Sequence, residues 1–251
     1  MPWREDPSPF RVVVSELMLQ QTQVGRVIPK FNAFLYTCDS FASVAAKPLS
    51  TIIELWSGLG YNRRARYLHD LSIMIVSDYD GQLPNTLDGL QKLPGVGRNT
   101  AGAIMAYVYN QPTAFIETNI RTILFHHFFV NDTDVTDAQL LDIVQQVCDH
   151  DNPRQWYWAL MDYGAHLKVT SGGRLDSSRH YKKQPPLQGS VRQVRGAIIR
   201  QLLEKPLTPY QLRRVVDADD RFDAALRGLL RDRLVEMSDH HICLTGATDP
   251  S

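Results

Sequence analysis

A turn between two helical segments constrains the fold of this chain more than any other feature of its sequence. It lies in Leu93–Ala101 and reads LPGVGRNTA. Pro94 stops the first helix because it has no N–H to donate, and the two glycines allow backbone angles and close approaches that a Cβ would block. The second helix begins around Arg98, where free N–H groups and the positive dipole end suit a DNA phosphate. We therefore predict a phosphate-binding hairpin formed by Gly95, Gly97, Arg98, Asn99 and Thr100.

The first 170 residues show helical periodicity throughout and no alternating strand pattern of any length. Pro9–Leu35 has apolar residues at helical spacing, with Pro29 near a break or a new helix start. Further helices are predicted at Leu49–Trp56, Arg64–Tyr79, Leu87–Leu93, Arg98–Tyr109, Thr118–Phe129, Asp137–Cys148 and Arg154–Lys168. The pattern predicts an all-α fold.

Residues 171–190 have the composition of a basic linker, and residues 191–251 that of a small separate domain. The latter predict the helices Val191–Glu204, Pro209–Val216 with Thr208 as N-cap, and Asp220–Leu234, then a hairpin around Asp239-His240. This order is that of a winged helix, and a plain helical cap is the alternative. We predict three parts: a main domain over 1–170, the linker over 171–190 and a winged-helix-like domain over 191–251.

Composition and cysteine usage are those of an ordinary globular protein. The 251 residues are 43% hydrophobic and 22% charged, and no apolar run reaches the ~18–20 residues of a membrane span. The first six residues, MPWRED, have no signal-peptide core. Cys38, Cys148 and Cys243 are far apart and form no CxxC pair, and the histidines have no metal-binding spacing. We expect a cytoplasmic protein of bacterial type that contacts no membrane.

The charge is balanced overall but unevenly distributed. The formal net charge is zero, yet residues 131–153 contain six Asp and no Lys or Arg. Residues 172–200 carry seven Lys or Arg, including Lys182 and Lys183, against Asp176 alone. Such asymmetry suits a polyanionic partner on one face, and random clustering on a solvated surface is the alternative.

Several strings, in order along the first 170 residues, carry a family resemblance. Besides LPGVGRNTA they are PWR at 2–4 with SELMLQQTQV at 15–24, LWSGLGY at 55–61 with RARYLH at 64–69, IETNIR at 116–121 and ALMDYGA at 159–165. They resemble the helix-hairpin-helix DNA glycosylases, the superfamily of endonuclease III, and most strongly the adenine DNA glycosylases. The resemblance implies a two-lobed helical domain that binds double-stranded DNA, associates with the nucleoid in that way, and acts as a monomer.

Two carboxyl groups are the candidates for catalysis. Cleavage of a glycosidic bond passes through an oxocarbenium-like state, which is usually served by a pair of carboxyl groups. Glu16 lies in an apolar helix, where burial favours the protonated form, and it matches the catalytic Glu of the resembled family. Glu117 stands where that family has Asp, so a carboxylate is kept but is one methylene longer. Asn119 matches the family Asn that hydrogen-bonds near this carboxylate.

The resemblance also assigns the reaction type and the residues that probe the duplex. Asn99 stands where bifunctional members carry a nucleophilic Lys, which predicts base removal without strand cleavage. Gln20 and Gln21 match glutamines that probe the duplex beside a flipped base. Tyr61 and Asn62 stand where adenine glycosylases usually have two tyrosines. Arg64, in a basic cluster with its neighbours, is a candidate phosphate contact, and a solvated helix face is the alternative.

Two departures from the family limit what the resemblance implies. Most members carry four cysteine ligands of a 4Fe–4S cluster after the helix that matches Ala159–Ala165, and this stretch has none. We expect no such cofactor, with Lys182 and Lys183 of the linker contacting phosphate in its place; a monovalent cation at the hairpin is left open. The larger C-terminal domain that inspects 8-oxoguanine also has no counterpart in this sequence.

The sequence thus favours a DNA glycosylase of base excision repair that removes adenine from a mismatch, opposite 8-oxoguanine or G. A glycosylase of the same fold acting on mismatched T or U, or on a damaged or deaminated purine, is the second interpretation. A DNA-binding protein with weak or no catalysis is the third. Glu16 argues for a purine substrate, because protonation of a ring nitrogen helps a purine leave more than a pyrimidine.

Overall fold

The computed structural model describes residues 1–172, 178–179, 184–216 and 219–247, and these are mostly helical. The helices are α1 (Pro2–Glu5), α2 (Pro9–Leu19), α3 (Val24–Thr37), α4 (Phe41–Ala45), α5 (Leu49–Trp56), α6 (Arg63–Asp78), α7 (Leu87–Gln91), α8 (Arg98–Tyr109), α9 (Thr118–His127), α10 (Asp137–Val147), α11 (Pro153–Thr170), α12 (Val191–Glu204), α13 (Pro209–Val216) and α14 (Arg221–Arg231). One antiparallel hairpin joins β1 (Val235–Ser238) to β2 (His241–Leu244). Among the described residues, none forms a helix that is both long and apolar enough to cross a bilayer.

The helical periodicity of the sequence predicts most of these elements well. The bounds of α5, α8, α12 and α13 are those predicted, and the remaining predicted helices differ by a few residues at their ends. The all-α fold class is confirmed. The short helices α1 and α4 have too few residues to show a period, and the sequence did not predict them.

The break in the first long helical segment is the clearest error of prediction. Pro29 lies inside α3, and the chain breaks between Leu19 and Val24 instead. Proline deprives a helix of one hydrogen bond, but Val27, Phe31 and Phe34 on one side of α3 are completely buried. Packing of this apolar face therefore holds the helix together through the proline.

The chain forms two compact units whose limits differ from the three predicted parts. One, the hairpin unit, comprises Trp3–Glu16 and Pro84–Lys183; the other, the terminal unit, comprises Met1–Pro2, Leu17–Leu83 and Gln184–Ser251. Residues 184–247 thus group with the N-terminal helices α3–α6 rather than forming a unit of their own. The boundaries at 170 and 190 remain predictions about independent domains.

The hairpin unit is built around α8, α9 and α11. From Ala101 to Tyr107 every residue of α8 is buried, and two glycines let neighbouring segments approach closely. A Cβ on Gly102 would lie 2.7 Å from the Cβ of Phe115, and one on Gly164 would lie 2.4 Å from the backbone oxygen of Asn119. The second contact fixes α11 against the first turn of α9, which is where the functional candidates lie.

The terminal unit contains the small winged-helix-like assembly that the sequence predicts. Helices α12–α14 precede the β1–β2 hairpin, which turns at Asp239-His240. A third short segment joins this sheet, because Leu207 and Ile242 exchange both backbone hydrogen bonds, at 3.1 and 2.8 Å. Thr208 caps α13: its Oγ1 accepts a hydrogen bond from the Gln211 N–H at 3.3 Å.

Candidate active site

Glu16 lies on α2 of the hairpin unit, among apolar neighbours. Val13, Leu17 and Met18 are completely buried, and Glu16 itself is half-buried. Burial raises the pKa of Glu16 well above its ordinary value, and the negative charge of Glu117 raises it further. Glu16 therefore keeps its proton at pH values where an exposed glutamate is ionised.

Glu117 is the N-cap residue of α9, in the same unit. Its side chain does not cap the helix, so the carboxylate is left for other partners beside the positive end of the helix dipole. Burial raises the pKa of Glu117, and the positive charge of Lys168 partly opposes this rise. Since Glu16 and Glu117 influence each other, they titrate as a pair, and the positive charge of Lys168 beside Glu117 favours a proton on Glu16.

Lys168 reaches this pair from α11, although nothing in the sequence motifs singled it out. Its Nζ donates a hydrogen bond to Oδ1 of Asn119 at 2.5 Å. Burial lowers the pKa of Lys168, and the charge of Glu117 opposes that change. Lys168 and Asn119 are 49 positions apart in the sequence, so only the packing of α11 on α9 brings them together.

The Asn119 side chain is held by α11 through both ends of its amide. Besides accepting from Lys168, it donates through Nδ2 to the backbone oxygen of Met161 at 3.1 Å. The resemblance predicts that Asn119 hydrogen-bonds near the Glu117 carboxylate, and its side-chain hydrogen bonds go to Met161 and Lys168 of α11. Asn119 therefore ties the start of α9, which carries Glu117, to α11.

Tyr107, on α8, is a further neighbour of both carboxyl groups that the sequence did not reveal. Its ring is buried, stacks on Trp158 with centroids 6.3 Å apart, and meets Phe115 edge-on at 6.1 Å. Burial raises the pKa of Tyr107 well above its ordinary value, and the charges of Glu16 and Glu117 raise it further. The phenol is thus a neutral wall of the site. Tyrosine at a core position of a helix gives no signal of such a role.

The predicted hairpin joins α7 to α8 in the same unit. Gly95 has a positive φ of 78°, which favours glycine, and Gly97 is the N-cap of α8. Arg98 and Asn99 are exposed and Thr100 is half-buried. Asn99 also has a structural contact, because its Oδ1 accepts a hydrogen bond from the N–H of Ile116 at 3.3 Å. This bond ties the start of α8 to the residue just before Glu117.

The predicted duplex-probing residues belong to the terminal unit. Gln20 and Gln21 follow the end of α2, and Tyr61 and Asn62 precede α6. Gln21 and Tyr61 have positive φ values of 55° and 49°, rare for residues with a Cβ. All four line a cavity of about 610 Å³ in this unit, together with residues of α12 and α14. The Arg192 guanidinium of α12 donates to the Tyr61 hydroxyl and lies over its ring, 5.6 Å from the centroid.

Arg64 is not the phosphate contact that we predicted from its basic cluster. It is only 4% exposed, and its guanidinium donates to the backbone oxygens of Leu17, Met18 and Gln20 at 2.6–2.8 Å. Burial lowers its pKa to about 10. These carbonyls lie at the end of α2, where helix carbonyls lack intrahelical partners. Arg64 therefore caps α2 from within the protein and fixes the loop that carries Gln20.

The remaining two predicted contacts, Lys182 and Lys183, lie outside the described residues. Nearby, Arg179 makes an exposed ion pair with Asp134 at 2.5 Å. The backbone N–H of Arg179 also donates to the oxygen of Val135 at 3.1 Å. This arginine of the linker is therefore engaged with the segment before α10.

Comparison with known proteins identifies the family. The model of the HhH-GPD superfamily of base excision DNA repair proteins matches residues 14–147, more than half of the chain. The chain belongs to the HhH-GPD superfamily. The match includes Glu16, the hairpin and Glu117, which lie within its limits.

Relatives in this superfamily extend the match beyond the family model. An adenine DNA glycosylase of Mycolicibacterium smegmatis is 31% identical, over 98% of this chain and 91% of that protein. The adenine DNA glycosylase of Buchnera aphidicola subsp. Baizongia pistaciae is 32% identical over 70% of this chain, and human adenine DNA glycosylase is 33% identical over 66%. The chain spans about half the length of the Buchnera relative and about a third of the human one.

Solved structures of the superfamily share the fold. A thermostable thymine-DNA glycosylase superposes with a TM-score of 0.62 at 23% identity, covering 70% of this chain and 82% of that one. Endonuclease III from a trapped covalent complex with DNA superposes with a TM-score of 0.55 at 20% identity, covering 71% and 78%. At such identities the likeness concerns the fold alone.

The residues of this HhH-GPD chain do not fit the 4Fe–4S cluster that the resemblance associates with its superfamily. The cluster needs four ligands, which are usually all cysteine thiolates. The three cysteines are buried; Cys38 and Cys243 belong to the terminal unit, and only Cys148 to the hairpin unit. The residues that follow the ALMDYGA string, where the family has its first cysteine ligands, include no cysteine. They include Lys168 of α11, which lies near the carboxyl pair.

Proposed function

We propose that this chain is a monofunctional DNA glycosylase that releases adenine from a mismatch in double-stranded DNA, opposite 8-oxoguanine or G. The observation that carries the proposal is the pair of carboxyl groups: burial raises the pKa of Glu16, whereas the cation of Lys168 opposes such a rise in the pKa of Glu117. The names of the relatives support adenine as the substrate, since three of them, from two bacteria and from human, are adenine DNA glycosylases. The membership of a base excision repair superfamily supports DNA as the partner.

The two carboxyl groups have opposite tasks in the proposed reaction. Glu16 gives its proton to a ring nitrogen of the adenine, and the electron pair of the breaking glycosidic bond leaves with the base. The Glu117 carboxylate stabilises the positive charge that develops on the sugar and takes a proton from the attacking water. The surroundings of the two groups support this division, because apolar neighbours favour the protonated form of Glu16 and the cation of Lys168 favours a negative charge on Glu117.

The proposed reaction ends at an abasic site. Asn99 has no amine with which to form an imine with the sugar, and its side chain holds the N–H of Ile116. Water is therefore the expected nucleophile, and the DNA strand stays intact. We further propose that the chain works as a monomer. We also propose that it works without an iron–sulfur cluster, a proposal that its cysteine content supports.

Base release from a panel of duplexes tests the proposal. The panel holds adenine opposite 8-oxoguanine, adenine opposite G, T and U opposite G, and hypoxanthine opposite T, with alkali to reveal abasic sites. We expect adenine release, strand breaks only after alkali, and a rate about 10²–10⁴ times lower in Glu16→Gln and Glu117→Gln. Glu54→Gln, an exposed glutamate on α5, is the matched control and should retain full activity.

Each other outcome of this experiment has a definite meaning. Release of T, U or hypoxanthine without adenine would keep the chemistry and replace the substrate. Strand breaks without alkali would contradict the monofunctional assignment. Tight duplex binding with no release from any member of the panel would favour a binding protein and contradict the proposed activity.

A further inference from the structure

Lys168 is a half-buried cationic group next to the carboxyl pair, and the proposed mechanism assigns it no task. It lies on α11, four residues after Gly164, so the two share one face of the helix. Gly164 lets this face touch the backbone of Asn119, with no room for a Cβ. The close approach brings the Lys168 ammonium onto Asn119 and next to Glu117.

The Lys168 side chain is held in place by a short series of hydrogen bonds. Its Nζ is bonded to the Asn119 amide, and that amide is itself bonded to the backbone of Met161, one helical turn before Gly164. The ammonium is therefore held by α11 and α9 together and is not a mobile surface group. A fixed charge in a partly desolvated site acts more strongly on a neighbouring carboxylate than a solvated one does.

We propose that Lys168 is a positioning residue: it holds Asn119 and the start of α9 in place and keeps Glu117 negatively charged while Glu16 carries the proton. This inference rests on the proposed glycosylase function. The groups that act on Glu117 are Glu16 from α2, Tyr107 from α8 and Lys168 from α11. Tyr107 is neutral, and an ionised Glu16 would favour a proton on Glu117. Lys168 is therefore the group among these three whose charge favours ionised Glu117.

The direction of the expected effect follows from the sign of this charge. Loss of the ammonium raises the pKa of Glu117, so Glu117 ionises only at higher pH. The low-pH limb of the rate profile, which reports the first proton lost by the carboxyl pair, should move to higher pH. A displacement of one pH unit lowers the rate on that limb about tenfold, and the rate should recover where Glu117 is again ionised.

The test compares Lys168→Met with Lys168→Arg in single-turnover release of adenine between pH 5 and 9. We expect the low-pH limb to move upward in Lys168→Met and to stay near its original position in Lys168→Arg, which keeps the charge. Lys205→Met, an exposed lysine at the end of α12, controls for the change in net charge. A merely structural role would lower the rate at every pH without moving the limb, and that result would overturn the proposal.

A second variant separates the charge from the fold. In Lys168→Cys the side chain is neutral, and alkylation with 2-bromoethylamine restores an ammonium at nearly the original distance. We expect the displaced limb of the Cys variant to return after alkylation, while a limb that does not return would contradict the proposal. Borohydride trapping of the unmodified protein on an abasic site, lost in Lys168→Arg, would also overturn it by making Lys168 a nucleophile.

Failure of this inference differs from failure of the proposed function. If the unmodified protein releases no base from any duplex, the glycosylase proposal itself falls. If it releases adenine and Lys168→Met has the same pH profile, only the role of Lys168 is wrong.

Discussion

At the residue scale, the site depends on a shared proton between two carboxyl groups of different surroundings. Glu16 has apolar neighbours on α2, while Glu117 has the cation of Lys168 and the positive end of α9. Both pKa values are raised, because burial disfavours each charge, and the cation of Lys168 opposes the rise in the pKa of Glu117. The protein thus keeps one acid and one base at the same pH with the same residue type.

Burial of Glu16 should lower the stability of the folded protein at pH values where the side chain would otherwise be ionised. Replacing Glu16 should therefore lower activity and raise stability. A carboxyl whose pKa is raised on folding stabilises fully below its unfolded pKa, and this contribution is lost as pH rises through the folded pKa. Glu16→Gln needs no proton, so it should unfold at a higher temperature than the original protein at pH 8, while its rate of base release falls about 10²–10⁴-fold. Each kcal/mol gained should raise Tm by roughly 2–4 °C for a chain of this size.

The pH dependence of this gain is its control. The difference in Tm between Glu16→Gln and the original protein should shrink as pH falls towards 4, because Glu16 then becomes protonated in both folded and unfolded chains. Melting curves followed by circular dichroism at pH 4.5, 6 and 8 measure it. A constant difference across this range would mean that burial of Glu16 does not control its protonation.

At the element scale, the packing of α11 on α9 positions the site. Gly164 is the closest point of this contact, and the residues one turn on either side of it, Met161 and Lys168, hold Asn119. A helical glycine ordinarily costs stability relative to alanine. The close backbone contact explains why the position nevertheless suits glycine.

Gly164→Ala should therefore destabilise the hairpin unit and impair base release together. An added Cβ would lie 2.4 Å from the Asn119 backbone oxygen, so α11 or α9 must shift, at a cost of about 1–3 kcal/mol. Gly25→Ala on α3 is the matched control: a Cβ there meets no atom within 4 Å, and it should leave stability unchanged or raise it. Denaturant unfolding of both variants decides, and equal stabilities would contradict the packing argument.

A buried aspartate attaches the C-terminal helices to α6. Asp232, at the end of α14, accepts from Arg63 at 2.6 Å and from Arg195 at 2.5 Å, and its backbone oxygen accepts from Arg66 at 2.6 Å. Burial by itself raises the pKa of Asp232, but the hydrogen bonds from Arg63 and Arg195 outweigh it and lower the pKa below its ordinary value. One carboxylate thus neutralises arginines from two helices.

Asp232→Asn should destabilise the protein by about 1–3 kcal/mol at neutral pH, because it leaves arginines without their charged partner. A carboxyl with a lowered pKa contributes stability above its unfolded pKa and loses it as pH falls through the folded pKa. The effect of Asp232→Asn on Tm should therefore fade in acid. Asp219→Asn, which breaks the ion pair of an exposed aspartate with half-buried Arg221, should lower Tm far less at neutral pH.

At the scale of the whole molecule, the chain is divided into units that are not continuous in sequence. The terminal unit combines residues 17–83 with residues from 184 onward, and the hairpin unit combines residues 3–16 with residues 84–183. The helix α2 contributes Glu16 to one unit and Leu17 to the other. The arginines on Asp232 and the contact of Arg192 with Tyr61 show why α12–α14 belong with α6.

Native-state hydrogen exchange should therefore find that α6 and α12 open together. Their slowest amides should share one opening free energy, since units of this kind tend to open cooperatively. Asp232→Asn should lower that value in both helices and leave α8 and α11 unchanged. Opening of α12–α14 alone, with α6 still protected, would instead support the separate C-terminal domain that the sequence predicts for residues 191–251.

The sequence by itself determined most of the helical elements and indicated the residues of the candidate site. Helical periods predict the principal helices, because an amphipathic period is a local property of the chain. The proline and glycines of the hairpin predict the turn for the same reason. The family motifs indicated Glu16 and Glu117 as a pair, because a carboxyl group is kept at each position, in the same order along the chain, even though the distance between them in space is not given by the sequence.

Only the tertiary structure decided which distant residues modify these groups. Lys168 and Tyr107 meet the carboxyl pair because helices far apart in sequence pack together, and no local pattern encodes such a meeting. The basic cluster around Arg64 looks the same in the sequence whether Arg64 contacts phosphate or caps α2. A proline such as Pro29 ends a helix only where tertiary packing does not hold the helix together. Local propensity is set by neighbours in the chain, whereas burial, charge and partnership are set by neighbours in space.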